Sequence, residues 1–208
     1  GKCWNRNSDD IINALAKQTV TEMYRAAARE QLEARRAALA KHAARSESAS
    51  VQRAMLEMAR SEPNIPVKPE EFDTRQDLFN CSAGVIDLRT GELRPHDAQH
   101  YFTRCAPAGY APGAPMPKFQ AFLEKIFLGN LEMIGFVQKA IGYCLTGYGD
   151  ERCIFIAHGG GKNGKSTLQN TIAQVIGDYS IRTPVETLLA QRDSGIPNDV
   201  AALMGRRF

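Results

Sequence analysis

The sequence predicts a mostly α-helical amino-terminal domain with a small β-hairpin, residues 1–150, followed by the truncated start of an α/β P-loop domain, residues 151–208. Three observations predict it. Apolar residues recur near a 3.6-residue period through most of residues 10–146, interrupted by one compact β signal. A strand-length apolar run at 153–157 then feeds into a glycine-rich turn and a further helical pattern. The residues after that turn are too few to complete a parallel sheet. With 208 residues, 43% apolar and 24% charged, the chain can bury a real core, which excludes collagen-like and globally disordered classes. No apolar run approaches the ~18–20 residues of a membrane-spanning helix. The formal net charge of +3 names no partner. Its distribution is uneven: residues 1–60 carry 11 Lys/Arg against 7 Asp/Glu, residues 61–150 carry 8 against 11, and residues 151–208 carry 7 against 5.

The first element is a long helix, residues 10–45, with Asp9 or Asp10 as its N-cap and Ile11, Ile12, Leu15, Val20, Met23, Tyr24 and Ala27 at helical spacing. From Ala26 to Ala44 the pattern thins to Ala, Arg and Glu, with Leu32 and Leu39 the bulky apolar residues, so one end is expected packed and the other solvated. Its basic residues Arg25, Arg29, Arg35, Arg36, Lys41 and Arg45 are candidate DNA contacts, and the competing reading is a solvated charged face. Ser46–Ser50 breaks the helix, and a second short one carries Val51, Met55, Leu56 and Met58. Pro63, Pro66 and Pro69 impose an extended connector. The small β element spans 84–94, two short strands around a turn containing Gly91. A Pro/Gly/Ala loop at 107–117 leads into a helical hairpin, 117–146. Pro117 stands at the first helical position, Phe119, Phe122, Leu123, Ile126 and Phe127 line one face, and Ile134, Val137, Ile141 and Leu145 turn inward on the second helix. This hairpin is expected to supply a core.

Five cysteines (Cys3, Cys81, Cys105, Cys144 and Cys153), none in a C-x-x-C pair, argue against a disulfide framework and a four-ligand zinc site and fit a reducing, cytoplasmic setting. His96 and His100 are four apart, but Pro95 disfavours a helix there, so both are read as exposed loop residues. Gly1–Asp10 lacks the apolar stretch of a secretory leader. The chain opens without Met and closes on Gly-Arg-Arg-Phe after a short helical stretch, in the manner of a chain leading into a strand. A piece of a longer protein is expected.

The chemistry lies in Cys153-Ile154-Phe155-Ile156-Ala157, a predicted strand, running into His158-Gly159-Gly160-Gly161-Lys162-Asn163-Gly164-Lys165-Ser166-Thr167. A helix with Leu168, Ile172, Val175 and Ile176 follows and closes at Gly177. Gly159-x4-Gly164-Lys165-Ser166 in this strand–turn–helix context is a P-loop. Glycines let successive backbone N–H groups curl around phosphate oxygens, and the helix N-terminus adds its dipole. Lys165 serves the β- and γ-phosphates, and Ser166 offers its hydroxyl to Mg²⁺. Hydrolysis needs a second element, an acidic residue ending another apolar strand. The acids after the loop, Asp178, Glu186, Asp193 and Asp199, stand at helix ends or in polar loops, and none follows four apolar residues.

Several segments in order carry a resemblance: Gly84-Val-Ile-Asp-Leu-Arg-Thr-Gly-Glu-Leu-Arg-Pro-His-Asp97, Tyr101-Phe-Thr-Arg104, the Phe122–Phe127 helix, Gly142-Tyr-Cys-Leu-Thr-Gly147 and Gly161-Lys-Asn-Gly-Lys-Ser-Thr167. Together the chain resembles the phage and poxvirus-type primase-helicases, in which a helical domain precedes a superfamily-three helicase motor. Gly1-Lys-Cys-Trp4 resembles that family's Trp-containing hairpin. The resemblance implies an AAA+-like motor that hydrolyses ATP with Mg²⁺ to move along single-stranded or forked DNA in phage or plasmid replication. It also implies a homo-hexameric ring, a primase domain upstream, and a phage or prophage protein in a bacterial cytoplasm. Gly159, Gly160, Gly161, Lys162, Asn163, Gly164, Lys165, Ser166 and Thr167 carry over as the nucleotide loop. The family's acidic pair, sensor and arginine finger have no counterpart in these residues, so the fragment alone is expected to be inactive. Two alternatives stand beside it: a P-loop phosphotransferase, whose arginine lid would have to draw on Arg182 and Arg192, and a non-catalytic DNA-binding or oligomerisation module.

Overall fold

The helix expected from residue 10 to 45 is two helices. In the computed structural model, which describes residues 2–4, 9–63, 65–188 and 198–208, α1 (Asp9–Arg29) ends and α2 (Glu33–Ser46) begins after three residues. Leu32 sits extended at φ −79°, ψ 116°, and the Glu30 carboxylate accepts from its N–H at 3.0 Å. No Gly or Pro forces this break. An Ala-rich helix has too little apolar bulk to stay straight in water, and turning back lets α2 bury small residues against α1. Ala16, Val20 and Ala27 of α1 and Ala43 and Ser46 of α2 are the buried residues. Two helices that pack along one another across so short a link run antiparallel. Because α1 starts at Asp9, Asp10 lies inside it, and the cap position falls outside the described residues. The expected second helix is α3 (Ala49–Ala59), with the Ser48 hydroxyl accepting from Val51 N–H, and it packs on both others. These helices belong to one packing unit, residues 5–71.

The second unit comprises residues 1–4 and 72–208. Its sheet has three antiparallel strands, β1 (Leu78–Cys81), β2 (Gly84–Asp87) and β3 (Glu92–Arg94), in the order β1-β2-β3. The expected pair is β2 and β3, with Asp87 opposite Glu92; β1 was not expected. Trp4 is clipped to this unit: its N–H donates to Phe102 O at 2.7 Å, Nε1 donates to Ala98 O at 3.0 Å, and its ring meets Phe72 and Tyr101.

Helices α4 (Pro117–Ile126) and α5 (Leu131–Thr146) form the expected hairpin, with the Asn130 side chain capping α5 and left-handed Gly147 ending it. They do not supply the core. Leu123 is buried, Ile134, Val137, Ile141 and Leu145 are half-buried, and Leu131 and Phe136 are 76% and 55% exposed. The core instead joins Phe79, Cys81 and Ala106 to Ile172, Ile176 and Tyr179, and a smaller cluster unites Leu78, Val85 and Phe102. Thus α6 (Lys165–Ile176) packs through Ile172 and Ile176, as its spacing predicts, while Val175 stays exposed.

A buried polar knot sits against this core. Asn80 is wholly buried: its Nδ2 donates to Lys2 O and Arg104 O at 2.8 and 2.7 Å, and its N–H donates to the Tyr179 hydroxyl. Among the described residues Asn80 Oδ1 has no partner. Arg207 lies over Tyr179, its guanidinium carbon 4.9 Å from the ring centroid, and donates to Leu78 O, Leu145 O and Arg75 O. Burial lowers the Arg207 pKa below the ordinary arginine value, while burial pushes the Tyr179 phenol up to about 12 against the pull of Arg207. After α7 (Asn198–Leu203) the chain runs beside 179–181: Phe208 N–H donates to Tyr179 O and Ile181 N–H donates to Phe208 O. That is the hydrogen-bond bracket of a parallel pair around Ser180, and neither segment forms a strand among the described elements.

Replacing Arg207 by Met strands three carbonyls, and urea unfolding is expected to show a loss of about 2–3 kcal/mol. Because the Tyr179 pKa is higher folded than unfolded, the folded state binds its proton more tightly. That stabilisation is complete below pH 10 and is lost as pH rises from 10 to about 12. Absorbance titration at alkaline pH is expected to show Tyr179 ionising late, together with unfolding.

Candidate nucleotide site

The residues read as the P-loop strand are not paired. Residues 153–157 are extended but form no strand among the described residues, and Ile154, Phe155 and Ile156 are 71%, 48% and 83% exposed. Phe155 touches Phe136 of α5 edge-on at 6.2 Å. An apolar strand in a P-loop sheet is buried by neighbouring parallel strands and helices, and among the described residues this segment pairs with no strand.

The turn itself is formed. Gly159 (φ +148°), Lys162 (φ +61°) and Gly164 (φ +86°) take positive φ, and α6 starts at Lys165 with Gly164 as its N-cap. The first helical bond runs from Leu168 N–H to Gly164 O at 2.9 Å. Gly164 also marks a close approach: a Cβ there would lie 2.6 Å from Ile126 Cγ2 and 3.4 Å from the Phe122 ring, so its bare backbone seats α6 on α4. Neither partner is marked by the P-loop pattern. The only sign of them in the sequence is the apolar face of α4.

The Lys165 ammonium points back into the turn and donates to Gly159 O (2.8 Å), Gly160 O (3.2 Å) and Asn163 Oδ1 (2.8 Å). Gly161, Lys162 and Thr167 are exposed, as is Ser166, which lines a cavity of about 470 Å³ with Gln169, Asn170, Arg182 and Thr183. Arg182 donates to Asn170 Oδ1. The donor set suits phosphate: a helix N-terminus with unpaired N–H groups, an inward lysine, and an exposed hydroxyl one residue on. Bound ATP would supply the phosphoanhydride to be cleaved, Lys165 would hold its phosphates, and Ser166 would hold Mg²⁺. Among the described residues no cluster of His, Cys, Asp and Glu could hold a metal ion. Asp178 accepts from Cys105 N–H, Asp193 lies outside the described residues, and Arg192 of the kinase reading does too.

The DNA-contact candidates are divided by the break between α1 and α2. Arg25 and Arg29 stand on α1, and Arg35, Arg36, Lys41 and Arg45 stand on α2, all exposed. Arg25 pairs with Glu22 at 2.5 Å and Arg36 pairs with Glu33, each on its own helix. Both histidines expected to be exposed are half-buried: His96 Nε2 is 2.9 Å from Cys81 O, and His100 packs on Phe102. All five cysteines are free thiols. No helix among the described residues is long and apolar enough to cross a membrane.

Residues 1–128, from the Trp4 clip through the sheet and α4, match the family model described as D5 N terminal like. The chain belongs to that family. This D5-type region is the amino-terminal domain of phage and viral D5-like primase-helicase proteins, and the membership ties the chain to that group. No curated protein matches the chain. The D5-type match ends 31 residues or so before the loop at Gly159, so the family and the loop are independent observations.

A methyl group at residue 164 is sterically and conformationally disfavoured, and Gly164→Ala is expected to cost about 1–3 kcal/mol in thermal or urea unfolding. A change of the same size at exposed Gly161, which a Cβ would leave without a near neighbour, is expected to cost well under that.

Proposed function

We propose that this D5-type chain joins a helical domain, residues 1–150, to the opening of an AAA+-like motor, residues 151–208, and that the whole protein is an ATP-driven DNA helicase of phage or plasmid replication. The Lys165 ammonium gathered into a glycine turn at the N-terminus of α6 carries this reading. The parallel bracket between 179–181 and Phe208 supports it, because a helix followed by parallel strands is how a P-loop domain is built. In this reading ATP and Mg²⁺ bind at Gly159–Thr167, single-stranded or forked DNA is the track, and six copies form a ring. Catalytic acids would come from a strand outside the described residues. The three-helix unit would contact DNA phosphates through Arg25, Arg29, Arg35, Arg36 and Lys41. The fragment by itself would bind phosphate without turning over ATP.

ATPase activity of the intact protein is expected to rise with single-stranded DNA and to fall at least about a hundredfold in Lys165→Ala. Activity indifferent to DNA would favour a phosphotransferase. Reversing Arg35 and Arg36 to Glu is expected to weaken DNA binding and to lower the slope of log affinity against log salt by about two. An unchanged slope would return that face to a solvated surface.

A further inference from the structure

Resting on the phosphate-loop reading above, we infer that Asn163 is a positioning residue whose Oδ1 occupies, on the Lys165 ammonium, the place a phosphate oxygen must take, and so sets how readily the loop accepts an anion. An ammonium has three donors, and in this structure all three are engaged. Two go to backbone oxygens, Gly159 O and Gly160 O, which belong to the turn itself. The third goes to a side chain, Asn163 Oδ1 at 2.8 Å. The other end of the same carboxamide lies across Gly159: a Cβ on residue 159 would be 2.3 Å from Asn163 Nδ2. Asn163 therefore fits against the turn only because residue 159 has no side chain, and it spans from Gly159 to Lys165 as a removable stopper.

An incoming phosphate can leave the two backbone contacts in place and displace only the carboxamide, exchanging a neutral acceptor for a charged one. The ammonium–carboxamide bond is already charge-assisted through its donor, and a phosphate oxygen adds the attraction of opposite charges, so the exchange runs toward phosphate while Asn163 subtracts from the gain. The residue therefore acts against binding, opposite to the sign expected of a residue that merely shapes the loop.

Two measurements on the 208-residue chain test this. In the first, the rate of reductive methylation at Lys165 is followed by peptide mass spectrometry without any nucleotide. Asn163→Ala is expected to raise it about fivefold and Asn163→Asp to lower it. In the second, calorimetry with magnesium pyrophosphate is expected to show Asn163→Ala binding about fivefold more tightly than wild type. Asn163→Asp is expected to bind at least tenfold more weakly, with binding recovering as pH falls and the new carboxylate is protonated. Wild-type labelling in Asn163→Ala, or weaker pyrophosphate binding by it, would overturn the inference. If wild type and Lys165→Ala bind pyrophosphate equally, the phosphate-loop reading fails, and the labelling rates alone decide whether Asn163 holds Lys165.

Discussion

A guanidinium laid over an aromatic ring with no carboxylate beside it among the described residues has to be held by carbonyl oxygens. Arg207 takes its oxygens from three places: Arg75 before the sheet, Leu78 at the start of β1, and Leu145 at the end of α5. Tyr179, beneath it, reaches the other way to Asn80 N–H and Arg104 O. This knot fixes the sheet, the end of the helical hairpin and the segment after α6 to one another. Since α6 leaves the glycine turn at its other end, the placement of Lys165 follows from contacts made about three helical turns away.

Periodicity made visible the elements whose signals are local. Pro117 at a first helical turn, Gly177 as a stop, and Ile172 with Ile176 on one face all mark structures that form where their residues predict. The misses have different causes. Strand β1 reads Leu-Phe-Asn-Cys, too short to show alternation, and all four residues are buried, so no polar face betrays it. The break between α1 and α2 carries no breaker residue, because it is set by the burial of Ala43 and Ser46 against a neighbour. Core bulk misled in two places: α5 reaches the core through half-buried Ile141 and Leu145 while Leu131 and Phe136 stay exposed, and Ile154, Phe155 and Ile156 are exposed as well. The glycine turn was legible because phosphate chemistry demands particular residues at particular spacings. The knot was not, since an Arg and a Tyr near the end of a chain look like ordinary surface residues until the fold brings Asn80 to them.

The family and the turn speak for different parts of the molecule. Residues 1–128 carry the family match, Gly159–Thr167 lie beyond it, and the core that unites Phe79 with Ile172 and Tyr179 joins the two stretches.

The parallel bracket at Phe208, together with the reach of Arg207 to residue 75, bears on how the molecule is made. The three helices of 9–63 close through neighbours near in sequence and can form as soon as they leave the ribosome. The second unit cannot. Trp4, Asn80, Tyr179 and Arg207 are needed together, and the last of them is synthesised some two hundred residues after the first. Until then the Tyr179 ring and the carbonyls of Arg75, Leu78 and Leu145 lack their guanidinium partner, and incompletely packed surfaces of this kind aggregate or meet chaperones. Synthesis that pauses before residue 207 would leave folded helices at one end of the chain and an unfinished sheet at the other.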